Sequence, residues 1–252
     1  MSCSAYALPK PAQSTYETPN VVSPGIAQSI TDKDRSNLLQ SILPYGLDSY
    51  AIREKPTFIK VRYGCILFMD IVSYCKIIGE NTDVIVFLIL KKIYDMIDSV
   101  IQKYKYIQKV ETIGDAYMVV GDMDNRNNSN PEMYVNMIEF AFEVMDKIKQ
   151  LRIPDRTVRL RIGIHTGSFV VSFYGKIRPR LCVIGKHINI ASRIQSTAEP
   201  TSIQISNEMY QTLQRHNVVD RYSYIENRNV VLKNIGEVTA YTVLRGIAGD
   251  GL

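Results

Sequence analysis

The chain has 252 residues, enough for one folded domain with extra segments and for a sizeable hydrophobic core. Hydrophobic residues make up 46% of the sequence and charged residues 22%, which excludes a chain that is disordered throughout. The net charge of +5 comes from 30 basic and 25 acidic residues, without the dense Lys/Arg block that is typical of nucleic-acid or polybasic membrane sites.

Cysteine spacing and hydropathy indicate the compartment. Cys3, Cys65, Cys75 and Cys182 show no CxxC spacing, so the sequence predicts neither a zinc site nor a disulfide framework. The longest apolar run, Val84 to Leu90, is too short to cross a bilayer, and the N-terminus lacks the pattern of a signal peptide. We therefore expect a soluble chain in the cytoplasm, without direct membrane insertion.

The first 56 residues divide into two segments by composition. Residues 1–30 are rich in Ser, Pro, Thr and Ala and have little periodicity, which predicts a disordered leader. Residues 31–56 contain a possible cap at Thr31, apolar residues at helical spacing and then Pro44. This pattern predicts a short helical segment ahead of the main domain.

Strand and helix patterns follow in chain order. Arg62 to Met69 predicts a strand, and apolar residues at three-and-four spacing after Asp83 predict a long helix. We expect the apolar positions of this helix to lie in the core: Ile85, Leu88, Ile89, Ile93, Met96, Ile97, Val100 and Ile101. Ala116 to Val120 predicts a second strand, and the polar run Asp124 to Asn130 predicts a solvated loop before a helix over Pro131 to Gln150.

The next segment has the pattern of a hairpin. Residues 158–164 alternate between apolar and polar side chains, and residues 169–174 are expected to pair with them across a turn at residues 166–168. The order strand, helix, strand, helix, strand, strand predicts an α+β fold, a ferredoxin-like α/β sandwich, over residues 57–246. Residues 247–252 are expected to form a tail.

Two aspartates stand beside apolar, strand-like runs. Asp70 lies in FMDIVSYC and Asp115 in KVETIGDAYMVVG, so both are expected at strand ends, where a core can hold them rigidly. Paired carboxylates can hold two hard cations, which grip a triphosphate and activate a hydroxyl. An aspartate after an apolar strand can also be a helix cap or turn former, so this pair alone does not decide its role.

Six ordered blocks give a more specific indication. They are FMDIVSYC, KVETIGDAYMVVGDM, RLRIGIHTGSFVVSFYG, PRLCVIGKHINIASRIQST, IQISNEMYQTL and VLKNIGEVTAYTVL. In order and spacing they resemble the catalytic domain of class III nucleotidyl cyclases, most closely the eukaryotic-type guanylyl cyclases, from about Lys60 to Gly246. Six ordered matches are far more specific than one short motif.

The resemblance implies conversion of GTP to 3′,5′-cyclic GMP and pyrophosphate. It implies two Mg²⁺ or Mn²⁺ ions per site, held by Asp70, Asp115 and the backbone carbonyl of Ile71. One ion would lower the pKa of the ribose 3′-hydroxyl and the other would bind the β and γ phosphates. The residues that follow the first aspartate are expected to line the substrate site: Ser73, Tyr74 and Cys75.

The resemblance also assigns the groups that bind the phosphates. Asn189 and Arg193, four residues apart, would share one helix face and stabilise the ribose and the transition-state α phosphate. Lys233 matches a lysine that binds the terminal phosphates, and Arg161 matches an arginine on the phosphate side. Each alone could be an ordinary surface charge, but all four in register with two aspartates favour the catalytic role.

Base selection is expected at Glu111 and Cys182. Guanine presents two donors beside the O6 acceptor, so its pocket needs an acceptor and a weak donor. The resemblance implies that these two residues bind the base, whereas Lys and Asp stand there in adenine-specific members of the family. Glu111 has an alternative role as a surface acid at a strand edge.

Several positions depart from the pattern of the family. Lys186 and His187 stand where an Asp-Thr pair is usual, Cys75 where Thr is common, and Ile235 in place of a lysine. They keep open the alternative of a degenerate cyclase that dimerises and binds GTP with little turnover. His165 is expected to be a packed, hydrogen-bonded imidazole, since neither it nor His187 has a partner at metal-ligand spacing.

The resemblance implies a head-to-tail homodimer, in which the aspartates of one subunit face the Asn, Arg and Lys of the other. Residues 31–56 then resemble the segment beside the dimer seam, with simple packing on the domain as the alternative. An adenylyl or other nucleotidyl cyclase stays open as an alternative function. An RNA-binding domain would need exposed aromatics on a basic sheet face, and no such motif occurs, so we expect no nucleic-acid partner.

Overall fold

The computed structural model describes residues 58–123, 130–153, 157–175 and 180–246. The predicted leader, the predicted helical segment and the predicted tail lie outside the described residues, as does most of the predicted loop before the second long helix. Within the described ranges, no helix is long and apolar enough to cross a membrane.

Eight strands and five α-helices make up the described part of the chain. The strands are β1 (Phe58–Ile71), β2 (Ile107–Ile113), β3 (Ala116–Gly121), β4 (Leu160–Tyr174), β5 (Arg180–Ile184), β6 (Ile203–Ser206), β7 (Tyr222–Leu232) and β8 (Gly236–Arg245). The helices are α1 (Tyr74–Gly79), α2 (Asp83–Ile101), α3 (Pro131–Gln150), α4 (Lys186–Ser196) and α5 (Asn207–Arg215).

The strands form one mixed sheet in the order β2-β3-β1-β4-β6-β8-β7, and β5 pairs with β4 outside this path. β4 and β6 run parallel, and the other pairs are antiparallel. Side chains alternate along β1, so Leu67 packs with α2, α3 and α5, whereas Ile66 packs with Ala191 of α4 on the opposite face. This architecture confirms the predicted α+β fold.

The two long helices begin where their caps predict. The Thr82 side chain accepts a hydrogen bond from the backbone N–H of Ile85 at the start of α2. The Asn130 side chain accepts from the N–H of Glu132 at the start of α3, where Pro131 has no N–H that would need an acceptor. Both predicted helices are confirmed, α3 over its full predicted length.

The predicted core face of α2 is partly wrong. Ile85 and Leu88 are 45% and 55% exposed, whereas Val86 and Ile89 are buried. Every residue from Val84 to Leu90 is apolar, so spacing cannot indicate which side of this first part of the helix meets the sheet. Further along the helix, the predicted positions are buried or packed against the core.

The predicted hairpin at residues 166–168 is also wrong. β4 runs straight through these residues, because its long antiparallel partner β1 pairs with it on both sides of Gly167. Gly167 is needed for space: a Cβ there would lie 2.3 Å from the His187 ring. The edge strand β2 was missed, since its residues Gln108, Lys109 and Glu111 interrupt the apolar alternation.

A second glycine on β4 lets α4 lie directly on the sheet. A Cβ on Gly163 would be 2.1 Å from the backbone nitrogen of Gln195 and 2.4 Å from its Cα. Backbone atoms cannot move aside as a flexible side chain can, so any larger residue must displace the whole helix.

We expect Gly163→Ala to lower the free energy of unfolding by about 1–3 kcal/mol, because an overpacked contact forces backbone shifts. Urea denaturation followed by circular dichroism measures the change. Gly79→Ala is the matched control, because a Cβ at Gly79 meets nothing within 4 Å. It should leave stability within about 1 kcal/mol of the wild type. Equal stability of Gly163→Ala and the wild type would contradict the close contact.

Candidate active site

Asp70 is held at the end of β1 by an arginine on the neighbouring strand. It lies in register opposite Arg161 of β4, and Arg161 Nη2 donates to Asp70 Oδ2 at 2.7 Å. The side chains of Arg161 and Asp70 are only 30% and 19% exposed, so solvent screens the pair less than a surface ion pair. The guanidinium therefore fixes the position of this carboxylate.

Asp115 reaches the same place from the turn between β2 and β3. Gly114 precedes it with a φ of 61°, a left-handed conformation that glycine adopts without steric cost. The hydroxyl of Tyr94 on α2 donates to the carbonyl of Gly114 at 2.6 Å. The turn is thus attached to the long helix beneath it, which limits the movement of Asp115.

The carboxyl groups of Asp70 and Asp115 lie close enough for each to shift the pKa of the other. Burial, with the hydrogen bond and charge of Asp70, raises the pKa of Asp115 to about 7. Burial would also raise the pKa of Asp70, but hydrogen bonds from Asp115 and Arg161 outweigh it and hold that pKa below its usual value. Charging both neighbouring carboxylates is therefore unfavourable, and a bound cation would lower that cost.

The donor set fits a hard divalent cation. Mg²⁺ is commonly bound by one or two carboxylates, with substrate phosphates and water completing its shell. The main chain of Ile71 at the end of β1 lies close enough to Asp115 to lower the pKa of that carboxyl group. Among the described residues, no group of three or more His, Cys, Asp or Glu side chains could hold a metal ion. The carboxylate pair is therefore a two-residue donor set, and substrate phosphates and water would have to complete the shell of a cation.

The residues after Asp70 turn away from the sheet into α1. Ser73 has a φ of 60° and precedes the helix. Tyr74 is partly buried, and burial together with the Asp115 charge raises its pKa. Cys75 is exposed. Tyr74 therefore lies within electrostatic range of the carboxylate pair. No described hydrogen bond or ion pair links Ser73 or Cys75 to Asp70 or Asp115.

A second group of predicted residues lies on α4 and on the turn after β7. Asn189 is exposed and Arg193 partly buried on α4. Ile194 of this helix packs against Leu232 at the end of β7, which brings the exposed Lys233 close to α4. Neither Arg193 nor Lys233 forms an ion pair with another described residue. Their positive charges are therefore not neutralised within the described part of the chain.

The two predicted base-binding residues lie on strands that pack together. Glu111 is on β2 and Cys182 on β5, opposite Ser172 of β4. Val110 beside Glu111 packs in one cluster with both neighbours of Cys182, Leu181 and Val183. The fold therefore brings these two strands into contact, although they are far apart in sequence.

The two groups have little contact with each other. A hydrogen bond joins Arg161 to Asp70, but no described hydrogen bond or ion pair links Asp70, Asp115 or Arg161 to Asn189, Arg193 or Lys233. Gln195, at the end of α4, is buried close enough to Asp70 to lower its pKa, yet its Nε2 makes no hydrogen bond of ordinary length. We call Asp70, Asp115 and Arg161 the acidic half-site, and Asn189, Arg193 and Lys233 the basic half-site.

Sequence reasoning missed two residues beside the carboxylates. Tyr94 lies between the buried Ile93 and Ile97, so helical spacing gave no sign of its contact with Gly114. Gln195 lay inside a recognised motif but carries no charge that would have indicated a place beside Asp70. The contact between His165 and His187 was also missed, because the two residues are 22 apart in sequence.

Comparison with known proteins identifies the family. The family model described as adenylate and guanylate cyclase catalytic domain matches residues 60–245. The chain is 36% identical over 182 residues to the receptor-type guanylate cyclase gcy-23 of Caenorhabditis elegans, which covers 71% of this chain and 16% of that protein. It is 33% identical over 214 residues to gcy-13 of the same organism, covering 84% and 19%. The chain thus spans less than a fifth of the length of these relatives.

Solved structures show the same fold. The guanylate cyclase domain of RhGC from Catenaria anguillulae, in complex with GTP, has a TM-score of 0.67 at 24% identity and covers 75% of this chain and 100% of that one. The adenylyl cyclase CyaB from P. aeruginosa has a TM-score of 0.66 at 21% identity, covering 77% and 100%. Together with the family model, which matches more than half of the chain, these similarities establish that it belongs to the adenylate and guanylate cyclase catalytic domain family, as a class III nucleotidyl cyclase domain.

Proposed function

We propose that this domain converts GTP to 3′,5′-cyclic GMP and pyrophosphate, at sites shared between two copies of the chain. The observation that carries the proposal is the Asp70–Asp115 pair: Arg161 holds Asp70, and burial with the charge of Asp70 raises the pKa of Asp115 to about 7. The receptor-type guanylate cyclases among its relatives support GTP as the substrate.

Asp70, Asp115 and the Ile71 carbonyl would hold two Mg²⁺ or Mn²⁺ ions. When bound, the ions would lower the pKa of the ribose 3′-hydroxyl and neutralise the charge of the phosphates. The protein keeps the carboxylates in place: Arg161 holds Asp70, and the Tyr94 hydroxyl holds the turn that carries Asp115. The attacking 3′-hydroxyl and the α phosphorus belong to one substrate, so holding them in a fixed geometry accounts for a large part of the catalysis.

The second half-site is suited to the polyphosphate. Asn189 and Arg193 are four residues apart on α4, so they lie on one face of the helix and can reach one phosphate. We assign them to the α phosphate and the ribose, where charge develops as the 3′-oxygen attacks. Lys233 is assigned to the departing pyrophosphate. Arg193 and Lys233 have no ion-pair partner among the described residues, so binding need not break an existing pair.

Glu111 and Cys182 are assigned to the guanine base. A carboxylate accepts hydrogen bonds from N1–H and the exocyclic amine, and a thiol donates weakly to O6. Ser73, Tyr74 and Cys75 are assigned to the substrate site beside the metal ligands, as predicted from their motif. These assignments follow the resemblance residue by residue, and the packing of β2 against β5 is compatible with them.

A head-to-tail homodimer would complete the site. Among the described residues no hydrogen bond or ion pair links the acidic half-site to the basic half-site, and a second copy would bring one against the other. Two-fold symmetry then creates two equivalent sites. The departure at His187 does not argue for a degenerate protein, because Gly167 provides space for its ring and α4 remains intact.

We expect Asp70→Asn and Asp115→Asn each to reduce cyclic GMP formation with Mn²⁺ to below about 1% of the wild type, since each removes a ligand charge. Asp95→Asn is the matched control: Asp95 is exposed and pairs with Lys91 on α2. It should keep full activity. Titration with Mn²⁺, followed by electron paramagnetic resonance, should show weaker binding only for the first two variants. Near wild-type turnover of either would contradict the two-metal assignment.

We expect complementation between two inactive variants. Asp70→Asn damages the acidic half-site and Arg193→Ala the basic one, so a heterodimer retains one site with both halves intact. Co-expression should restore up to about half the activity of a wild-type dimer, because one of its two sites is rebuilt. Heterodimers isolated with two affinity tags provide the sample. Absence of recovery in proven heterodimers would place the whole site within one subunit.

We expect base preference to depend on Glu111 and Cys182. A site built to hydrogen-bond one base rejects another by up to about 10⁴-fold when its buried groups are left unpaired. Glu111→Lys with Cys182→Asp supplies a donor for adenine N1 and an acceptor for its amine, and should shift preference toward ATP with some loss of rate. The ratio of cyclic GMP to cyclic AMP from equimolar GTP and ATP is the measurement. A wild type that prefers ATP, or an unchanged ratio, would remove both residues from this role.

A further inference from the structure

A cavity of about 500 Å³ lies away from every residue assigned above to metal, phosphate or base. It lies where one edge of β4 is left unpaired. On that edge β4 pairs with β6 through residues 162–164 and with β5 through residues 170–174. Between them, residues 165–169 have a described strand partner only on the other edge, in β1. Thr166, Gly167 and Ser168 line the cavity at this gap.

The charged side chains around the cavity are mainly basic. Arg62 and Arg215 line it against a single acid, Glu208. Arg62 forms no ion pair with another described residue. Arg215 is held in the wall by a 2.8 Å hydrogen bond from its Nη2 to Thr212 Oγ1, which leaves its charge unneutralised. The cavity therefore carries surplus positive charge, which an anion would compensate.

The cavity also offers flat apolar surface and further donors. The ring of Tyr134 packs against His216, with centroids 5.5 Å apart, and both residues line the wall. Tyr63 lines it too and is 55% exposed. The volume lies within the range of about 300–1,000 Å³ that is typical of small-molecule sites, and exceeds what a single inorganic ion needs.

A buried chain of hydrogen bonds ends at the cavity. His165 is fully buried, with its Nδ1 2.7 Å from Ser206 Oγ and its Nε2 2.8 Å from His187 Nδ1. Burial lowers the pKa of His165 to about 4, and burial and Lys186 lower that of His187, so both rings are neutral near pH 7. When Ser206 donates to His165, and His165 to His187, the remaining N–H of His187 is free to donate to an acceptor in the cavity.

His187 connects this cavity to the helix that carries the basic half-site. It is the second residue of α4, and its ring fills the space that a Cβ on Gly167 would occupy. Asn189 and Arg193 follow within two turns of the same helix. A molecule bound against His187 therefore contacts the first turn of α4.

We propose that this cavity is an effector site for a small organic anion, a carboxylate or phosphate carried on a flat ring, and that His187 transmits its binding to α4. The anionic group binds between the charges of Arg62 and Arg215, and the ring lies against Tyr63 and His216. An effect on turnover would rest on the proposed cyclase activity, whereas binding and its effect on α4 do not.

Binding is tested on the full chain in metal-free buffer by calorimetry with phenyl phosphate and, separately, benzoate. Benzyl alcohol is the neutral control. Fragments of this size bind with dissociation constants of about 1–10 mM in a matched site. Arg62→Gln and Arg215→Gln should each weaken binding about tenfold, because each removes a charge-assisted hydrogen bond. Arg228→Gln is the matched control, since Arg228 pairs with Glu226 outside the cavity.

If phenyl phosphate binds more tightly, the preferred anionic group is a phosphate; if benzoate does, it is a carboxylate. Asp70→Asn should bind either probe as the wild type does, which separates this cavity from the acidic half-site. Failure of both anions to bind, equal binding of benzyl alcohol, or binding that neither cavity arginine affects would overturn the proposal.

Transmission is tested by amide hydrogen exchange measured by mass spectrometry. Saturating phenyl phosphate, or benzoate if only that binds, should slow exchange in peptides from both α5 and α4 of the wild type. In His187→Thr it should slow exchange in α5 only, and circular dichroism establishes that this variant is folded. Unchanged exchange in α4 of the wild type, or equal slowing in the variant, would overturn the role of His187. The readout needs no turnover, so an inactive cyclase would leave this result interpretable.

Discussion

The contact between Asp70 and Asp115 constrains the rest of the structure, because two half-buried carboxylates repel each other unless a proton or a cation lies between them. Three features oppose this repulsion. The register of β1 against β4 places Arg161 on Asp70, the left-handed Gly114 turns Asp115 toward it, and Tyr94 attaches that turn to α2. A shift of one residue in the β1–β4 pairing would move Asp70 to the other face of the sheet and remove the pair.

Close approach of α4 to the sheet is the second constraint. The helix lies on β4 at two points, where Gly163 faces Gln195 and Gly167 faces the ring of His187. A helix held against glycines at both ends cannot tilt independently of the strand, because interiors are packed too densely to accommodate the motion. One rigid helix therefore reaches from the proposed effector cavity to the edge of the carboxylate pair.

The sequence predicted those features that local patterns determine. Three-and-four spacing predicted α2, the polar run before Pro131 predicted the start of α3, and apolar runs predicted Asp70 and Asp115 at strand ends. The predictions failed where tertiary contacts decide the outcome. The Thr-Gly-Ser run has the composition of a turn, but Gly167 serves close packing, and the pairing of β1 along both halves of β4 keeps the strand extended. Tertiary packing likewise selected the buried face of α2.

The candidate site shows the same division between local and long-range information. Residue identity within ordered motifs indicated which side chains belong to it, since a carboxylate, an amide and an arginine at fixed spacing carry their chemistry with them. Spacing could not show that Arg161 would contact Asp70, or that Lys233 would lie near α4, because both depend on pairings of strands distant in sequence. Nor could it show the separation into an acidic and a basic half-site, which is a property of the folded chain.

That separation has a physical consequence for control of the proposed reaction. Asp70 is already paired with Arg161, so a further arginine and lysine from the basic half-site of the same chain would compete with the cations for the two carboxylates. In the proposed dimer, Arg193 and Lys233 have no ion-pair partner among the described residues of their own chain, so they would be available when a second copy and the nucleotide arrive together. The triphosphate and its cations then lie between the two half-sites and satisfy both. Any process that changes the association of two chains, or the position of α4, would therefore act directly on assembly of the site.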